Sequence, residues 1–224
     1  MRRPSALLVL SSLSVLFVFG PAPETRAQDA KRGAELFHLC QQCHGSHGQG
    51  SHLALAPSIA GLEQWYVEAQ LHKFRDGSRA SHFDDLAGMR MRGMARWLKS
   101  EDDLKSVAAH VAALPPARSA PSVEGGDATK GAALYGACSG CHGVKGEGVQ
   151  AVGGSSLTHT SDWYLLTQLK NFKQGVRGSD ARDVTGTAMR GMSMLLADEQ
   201  AIKDVLAYIS TLAPAAGETA QGGE

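Results

Sequence analysis

The sequence predicts an all-α protein that consists of two tandem copies of one domain. A shift of 98 residues aligns Asp29–Leu114 with Asp127–Leu212 without a gap, and 32 of these 86 positions are identical. Within each copy, apolar residues recur at helical spacing, and no segment shows the alternation of a β-strand. The formal net charge is zero, which gives no reason to expect nucleic acid or an anionic membrane as a partner.

The first 27 residues are predicted to be a signal peptide that is removed from the mature protein. Arg2 and Arg3 precede an apolar run of about 14 residues, and the small-residue site at 25–27 is suited to cleavage before Gln28. The run is shorter than the roughly 20 residues of a transmembrane helix, and an uncleaved N-terminal anchor is the alternative. Export predicts a periplasmic protein, free or associated with the membrane, in an oxidising compartment where cysteines can form disulfides.

Each copy is predicted to contain three helices, the first of which leads into a cysteine pair. The first helix starts at Asp29 as N-cap and runs towards Cys40, and Asp127 is the predicted N-cap in the second copy. The last helix begins near Ser100, with Asp103 at capping-box spacing. A domain with three short helices has a thin core, so it needs a large apolar group at its centre.

The middle helix of each copy is predicted to end at a glycine. It covers about Gln64–Asp76 before Gly77, and Trp163–Gln174 before Gly175. Loops rich in glycine and methionine are predicted between the middle and the last helices.

The predicted organisation follows from these elements and from the composition between them. The two domains are predicted at residues 28–114 and 127–213. Proline and small polar residues at 115–126 are typical of an extended linker, and the Ala-, Gly- and Glu-rich tail at 214–224 is predicted to be disordered.

Both copies contain the C-x-x-C-H pattern of covalent haem attachment. Two thiols one helical turn apart can add to the two vinyl groups of a haem, and the adjacent histidine then reaches the iron as its proximal ligand. The sequence therefore predicts two covalently bound haem c groups. The attachment residues are Cys40, Cys43 and His44 in the first copy, and Cys138, Cys141 and His142 in the second.

Three other uses of paired cysteines fit less well. A thioredoxin-like pair needs no following histidine and lies in a βαβ unit, which this sequence lacks. Two CxxC pairs that share one zinc ion are usually 15–20 residues apart, whereas 94 residues separate these pairs. Structural disulfides do not explain why a histidine follows both pairs.

Methionine is the expected sixth ligand, because a thioether favours reduced iron and raises the potential of a haem. A single methionine is more often core filler than ligand. The repeat excludes Met89 and Met194, because other residues stand at their equivalent positions. Two pairs of candidates stay open: Met91 with Met189, and Met94 with Met192.

Both copies share the pattern G-A-x-L-[FY], CxxCHG, WY, QL and MRGM in this order, which resembles the cytochrome c4 family of dihaem proteins over nearly the whole mature chain. The resemblance implies two tandem class I cytochrome c domains whose haems face each other across the domain interface. In this family the ligand methionine lies seven residues before the leucine that leads into the last helix, which implies Met91 and Met189. It also implies that the carbonyl of Pro57 holds His44, a pattern from which Ser155 departs in the second copy.

The predicted function is electron transfer, because an iron with two protein ligands has no open position for a substrate. The resemblance implies periplasmic or membrane-bound redox partners, namely a quinol-oxidising complex, a terminal oxidase or a dehydrogenase. Neither nucleic acid nor a small-molecule substrate is expected. The alternatives are an electron-transfer subunit of a larger dehydrogenase or oxidase complex, and a dihaem enzyme of the peroxidase or thiosulfate-oxidising type with one open iron.

Basic residues surround the first methionine region, with no acidic residue among them. The second copy keeps only Arg190 there. A solvated loop is the ordinary explanation of such a cluster, and a docking surface for an acidic partner near the first haem is the alternative hypothesis. Its members are Arg90, Arg92, Arg96 and Lys99.

Overall fold

The computed structural model describes residues 23–117 and 120–212. Most of the predicted signal peptide and the predicted disordered tail lie outside these residues. The predicted linker is described except for residues 118 and 119, and its described part contains neither helix nor strand.

The same four helices occur in the same order in each domain. Those of the first domain are α1 (Pro23–His44), α2 (Gln64–Asp76), α3 (Leu86–Trp97) and α4 (Glu101–Ala113). Those of the second domain are α5 (Ala128–His142), α6 (Asp162–Gln174), α7 (Val184–Ser193) and α8 (Glu199–Leu212). The prediction of two tandem, mostly helical domains is confirmed. No helix in the described part of the chain combines the length and the apolar character that a membrane span requires.

The prediction of methionine-rich loops was wrong, because both segments form helices. Asp85 caps α3 by accepting a hydrogen bond from the backbone N–H of Gly88, and Asp183 caps α7 in the same way through Gly186. Leucine, alanine, methionine and arginine in these segments favour a helix once its first turn is capped. The glycines within them suggested loops, but a helix tolerates an isolated glycine at a cost of about 1 kcal/mol.

The first helix also differs between the two domains. Asp127 caps α5 as predicted, and its side chain accepts from Thr129 and Lys130. The prediction that Asp29 is an N-cap was wrong, because α1 continues upstream to Pro23. Proline is well tolerated in a first helical turn, where its missing N–H would have no partner.

Helix ends at the other predicted positions are confirmed. Gly77 and Gly175 end α2 and α6 in the left-handed conformation, with φ of 82° and 75°. The Ser100 side chain caps α4 by accepting from Asp103 N–H. These short-range signals therefore fix where the middle and last helices lie.

In each domain the first helix crosses the last helix at a glycine. A Cβ on Gly33 would lie 2.2 Å from the carbonyl oxygen of Ser106, and one on Gly131 would lie 1.9 Å from that of Asp204. The crossings bring the attachment cysteines onto the two main apolar clusters, against which Cys40 and Cys138 pack. The first cluster comprises Leu36, Phe37, Leu98, Leu104, Val107 and Val111, and the second comprises Tyr135, Leu196, Ile202, Val205, Leu206 and Ile209.

Candidate haem sites

The cysteines of both motifs lie in the last turn of α1 and of α5, and all four are free thiols. In each pair the first cysteine is partly buried and the second is exposed. Burial raises the pKa of Cys40 to about 11 and also raises the pKa of Cys138. A redox-active CxxC pair depends on a thiol with a lowered pKa. Cys40 and Cys138 therefore lack the lowered pKa that thiol–disulfide exchange requires.

The two motif histidines are buried and held by backbone carbonyl groups. Nδ1 of His44 is 2.8 Å from the carbonyl oxygen of Pro57, and Nδ1 of His142 is 2.7 Å from that of Ser155. A carbonyl oxygen can only accept, so Nδ1 carries the hydrogen and Nε2 keeps a lone pair for a metal. Burial lowers the pKa of both histidines, which favours the neutral ligand form.

The second domain keeps this hydrogen bond although serine replaces proline. The acceptor is a main-chain oxygen, so the side chain at position 155 is not needed to hold the proximal histidine. The departure of Ser155 from the family pattern thus leaves the geometry of the proximal side intact.

The loop after each motif folds back so that its carbonyl meets the histidine. The N–H of Gly50 donates to the carbonyl of His44 at 2.7 Å, and that of Gly148 donates to His142 at 2.8 Å. Both glycines have positive φ, and a Cβ on Gly50 would lie 2.4 Å from the nitrogen of Ser58. The loops therefore require glycine at these two equivalent positions.

The candidate methionines lie on helices α3 and α7. Met91 is half-buried and packs against Phe74, Ala80 and Ala95. Leu71 of α2 contacts this cluster as well as the cluster on which Cys40 packs, so it links the cysteine side of the site to the methionine side. Met189 is also half-buried. The choice of Met91 and Met189 over Met94 and Met192 stays a prediction.

Two buried arginines from equivalent positions meet between the domains. The guanidinium of Arg79 donates to Gln70 of its own domain at 2.6 Å and to Tyr164 of the other domain at 2.6 Å. Arg177 donates to Gln168 at 2.7 Å and reaches Gln70 across the interface at 3.3 Å. Each guanidinium also lies over a phenylalanine ring of its own domain, at 4.3 and 4.5 Å from the centroid.

This arginine pair is incompletely neutralised. Within the described residues neither arginine forms an ion pair with a carboxylate, and both Nε–H groups are buried without a hydrogen-bond partner. Burial and the neighbouring Arg79 lower the pKa of Arg177. Two adjacent buried cations fit an anionic ligand, and the carboxylates of haem propionates have the required charge.

Sequence reasoning missed the arginine pair, although a signal was present. Arg79 and Arg177 occupy equivalent positions, two residues after the glycines that end α2 and α6. A cavity of about 130 Å³ lies beside them, between residues 78–82 and 176–180. Charged residues that recur at equivalent positions of a repeat, directly after a helix end, indicated that these arginines have a role beyond the surface.

The Trp-Tyr pair near the start of α6 contributes to the domain interface. The ring of Trp163 lies 4.8 Å from that of His52 in the first domain, and the hydroxyl of Tyr164 accepts from Arg79. In addition, His159 of the second domain contacts the carbonyl of Gly61 at 3.0 Å. The interface therefore combines ring packing with hydrogen bonds.

Comparison with known proteins places both domains in one family. The model of the family described as Cytochrome c matches residues 30–115 and 128–213. A thiosulfate dehydrogenase electron acceptor of Stutzerimonas stutzeri (strain A1501) is 33% identical over 165 residues, which is 69% of this chain and 72% of the relative. Cytochrome c4 of Pseudomonas aeruginosa is 30% identical over 182 residues, which is 77% of this chain and 84% of the relative.

Solved structures share the fold. Reduced recombinant cytochrome c4 from Pseudomonas stutzeri has a TM-score of 0.64 and 27% identity, and the match covers 80% of this chain and 96% of that one. Thiosulfate dehydrogenase (TsdBA) from Marichromatium purpuratum has a TM-score of 0.66 and 29% identity, over 81% of this chain but only 40% of that one.

Proposed function

We propose that a histidine and a methionine bind each iron and leave no open coordination position, because the chain belongs to the cytochrome c4 family and is an electron carrier with two covalently bound haem c groups. In this proposal the protein is an exported shuttle between redox proteins and has no catalytic site of its own. The proposed signal peptide and the covalent attachment of haem favour a periplasmic location.

The residues divide into three roles around each site. When bound, each haem supplies a centre that takes up and releases one electron. The motif cysteines would anchor it, the histidine with its fixed tautomer and the methionine would bind its iron, and the buried arginines would neutralise its propionates. The proposed ligands are His44 and Met91 in the first domain, and His142 and Met189 in the second.

The observation that carries this proposal is the repetition of one ligand geometry. Each domain presents a buried neutral histidine with Nε2 free, on a helix that also carries two thiols. Each domain also presents methionines on a capped helix. Two sites with the same pair of ligands can differ in potential but have no open position for a substrate.

An absorption spectrum of the mature protein, made in a host that attaches haem c, tests the ligation. We expect two low-spin haems with the weak far-red band of methionine bound to ferric iron, and no change on adding carbon monoxide to the reduced protein. A high-spin component, or a haem that binds carbon monoxide readily, would reject the closed sites. That result would favour a dihaem enzyme instead.

We propose a thiosulfate dehydrogenase as the electron donor. Support comes from a relative that is named as an electron acceptor of such an enzyme and from a solved thiosulfate dehydrogenase that contains the same two-domain fold. A terminal oxidase or another periplasmic redox protein then takes the electrons. Mixing the oxidised protein with a thiosulfate dehydrogenase and thiosulfate should give rapid reduction, and a rate no faster than with thiosulfate alone would reject this donor.

The first domain offers a basic surface for such a partner. Arg90, Arg96 and Lys99 are exposed and bond only to backbone carbonyl groups, at 2.6, 3.3 and 3.5 Å. None of the three forms an ion pair within the described residues. Trp97 is 48% exposed beside them and can act as an aromatic anchor. We propose that these four residues, the basic α3 face, dock an acidic redox protein.

Salt dependence tests the basic α3 face. The variant R90Q/R96Q/K99Q should retain both haems but should lose much of the decrease in electron-transfer rate that the wild type shows as salt increases. The control K31Q/K130Q/K203Q removes the same charge elsewhere and should keep the wild-type salt dependence. Equal behaviour of the two triple variants would contradict docking at this face.

A further inference from the structure

One ion pair crosses the domain interface to the helix that carries Met189. Nζ of Lys73, near the end of α2, is 2.6 Å from Oδ1 of Asp183, the residue that caps α7. Lys73 also donates to the hydroxyl of Thr185 in the first turn of α7, at 2.6 Å. A side chain of the first domain therefore contacts the start of the methionine helix of the second domain at two points.

In the described chain, Lys73 is the residue that forms an ion pair with the carboxylate of Asp183, and Arg177 lies near enough to interact with it electrostatically. Its side chain is fully buried, and Oδ1 accepts from the N–H of Gly186 at 2.9 Å while Oδ2 has no hydrogen-bond partner. A Cβ on Gly186 would lie 2.1 Å from Oδ2, so the first turn of α7 closes tightly over the carboxylate. A buried charge without a partner is strongly destabilising.

The mirror-image contact is absent among the described residues. Asp85 is buried and caps α3 through the N–H of Gly88, also at 2.9 Å. However, Asn171 stands at the position equivalent to Lys73, and Asp85 forms no ion pair in the described chain. The two methionine helices thus share the same cap, but only α7 is held by a cation from the other domain.

We propose that Lys73 is a positioning residue by which the first domain holds Met189 on the iron of the second domain. This inference rests on the proposed histidine–methionine ligation. Met189 lies six residues after Asp183, less than two turns into a helix of 10 residues. Loss of the counter-charge leaves the buried carboxylate without its ion-pair partner, which destabilises the turn from which Met189 is presented. The first domain holds Met91 without such help.

Binding of imidazole to the oxidised holoprotein tests this coupling, because imidazole competes with a loosely held methionine. The matched variants are D183N and D85N. Asparagine keeps the cap acceptor in both, but only D183N removes an ion pair. We expect D183N to make one of the two haems bind imidazole roughly tenfold more tightly, so that half of the far-red methionine band disappears at a lower imidazole concentration, because the substitution breaks a buried ion pair. D85N should change neither readout.

A lysine series makes the assignment specific. K73M should increase imidazole binding at least as much as D183N does. K73R should bind imidazole as the wild type does, and N171A at the mirror position should have no effect. Equal effects of D183N and D85N, or an equal loosening of both haems in K73M, would overturn the proposal. If K73M does not accumulate with two haems, the comparison of D183N with D85N decides the question alone. A wild-type spectrum without the methionine band would instead reject the proposed ligation.

Discussion

The two domains agree in the residues that surround the haem and differ in the surface around the methionine helix. Both hold the proximal histidine by a backbone carbonyl, cap the methionine helix with a buried aspartate and contribute an arginine to the interface. At the surface, α3 continues to Trp97 with basic residues, whereas α7 ends at Ser193 and is followed by exposed Met194 and Leu195. The two domains therefore have similar sites but different surfaces beside the methionine helices.

A second difference concerns how the cysteine helix approaches the loop behind it. Gly154 of the second domain lies against Cys141, and a Cβ on it would be 1.8 Å from the Cys141 carbonyl oxygen. The first domain has Ala56 at this position, buried at 6% exposure. The same loop thus packs more closely on α5 than on α1, so equivalent substitutions should have unequal effects.

The largest effect is expected for G154A. The new methyl group meets main-chain atoms that cannot rotate away, so the stability loss should reach or exceed the upper end of about 1–3 kcal/mol for overpacking. Because the clash is with Cys141 itself, attachment of the second haem should also fail in part. Mass spectrometry of the intact protein should show chains with one haem, and thermal unfolding should begin at a lower temperature.

The reciprocal change gives the control for this prediction. A56G removes one buried methyl group and adds backbone freedom, which should cost about 1 kcal/mol without loss of haem. A G154A protein with two haems and wild-type stability would mean that the loop of the second domain relaxes as readily as that of the first.

The sequence predicts the architecture, but it does not predict most of these differences between the two domains. The repeat, the CxxCH motifs and the glycines that end α2 and α6 can be recognised directly in the sequence. The tandem helical domains and the haem groups that they predict are confirmed. The methionine helices were missed because the glycines within them outweighed the capping aspartates Asp85 and Asp183. An aspartate predicts a cap when a clear helical pattern follows it, as after Asp127, and the glycines at 88, 93, 186 and 191 obscure that pattern here.

The residues that join the domains were not predictable for a different reason. From the sequence alone, Lys73 is expected to be an ordinary exposed lysine on a helix. Its partner Asp183 lies 110 positions further along the chain. The arginine pair likewise depends on how two copies of one motif face each other. Periodicity describes one domain at a time, so contacts between two domains require the three-dimensional arrangement.

An intermediate effect is expected at Asp204, which anchors the start of α5 to α8. Its buried carboxylate accepts from the N–H of Asp127 and from Gln200, both at 2.8 Å. These hydrogen bonds, that of Asp127 first, lower the pKa of Asp204. The first domain has Ser106 at this position. We expect D204N to lower the thermal midpoint by a few degrees at neutral pH.

The pH dependence of thermal stability shows whether the ionised carboxylate of Asp204 stabilises the folded protein. A carboxyl group with a lowered pKa in the folded state stabilises the protein above its unfolded pKa of about 3.9, and this stabilisation is lost as the pH falls through the folded value. The difference in thermal midpoint between wild type and D204N should therefore be constant from pH 7 to about pH 5 and should shrink in more acidic solution. The control S106A should show no such trend, and a difference that grows in acid would contradict the assignment.

The smallest effect is expected for P57S, which gives the first domain the residue of the second. The acceptor for His44 is the carbonyl oxygen of residue 57, and the 2.7 Å contact of His142 with Ser155 shows that serine supplies it equally well. The potential of the first haem and the far-red methionine band should therefore stay unchanged in a redox titration. Stability should fall by about 0.4–1 kcal/mol, because serine leaves the unfolded chain more conformational freedom than proline. P115S, at an exposed linker proline whose carbonyl holds no histidine, reports the effect of a proline loss alone. A shift in the potential of one haem in P57S, with none in P115S, would mean that the rigidity of proline tunes the first site.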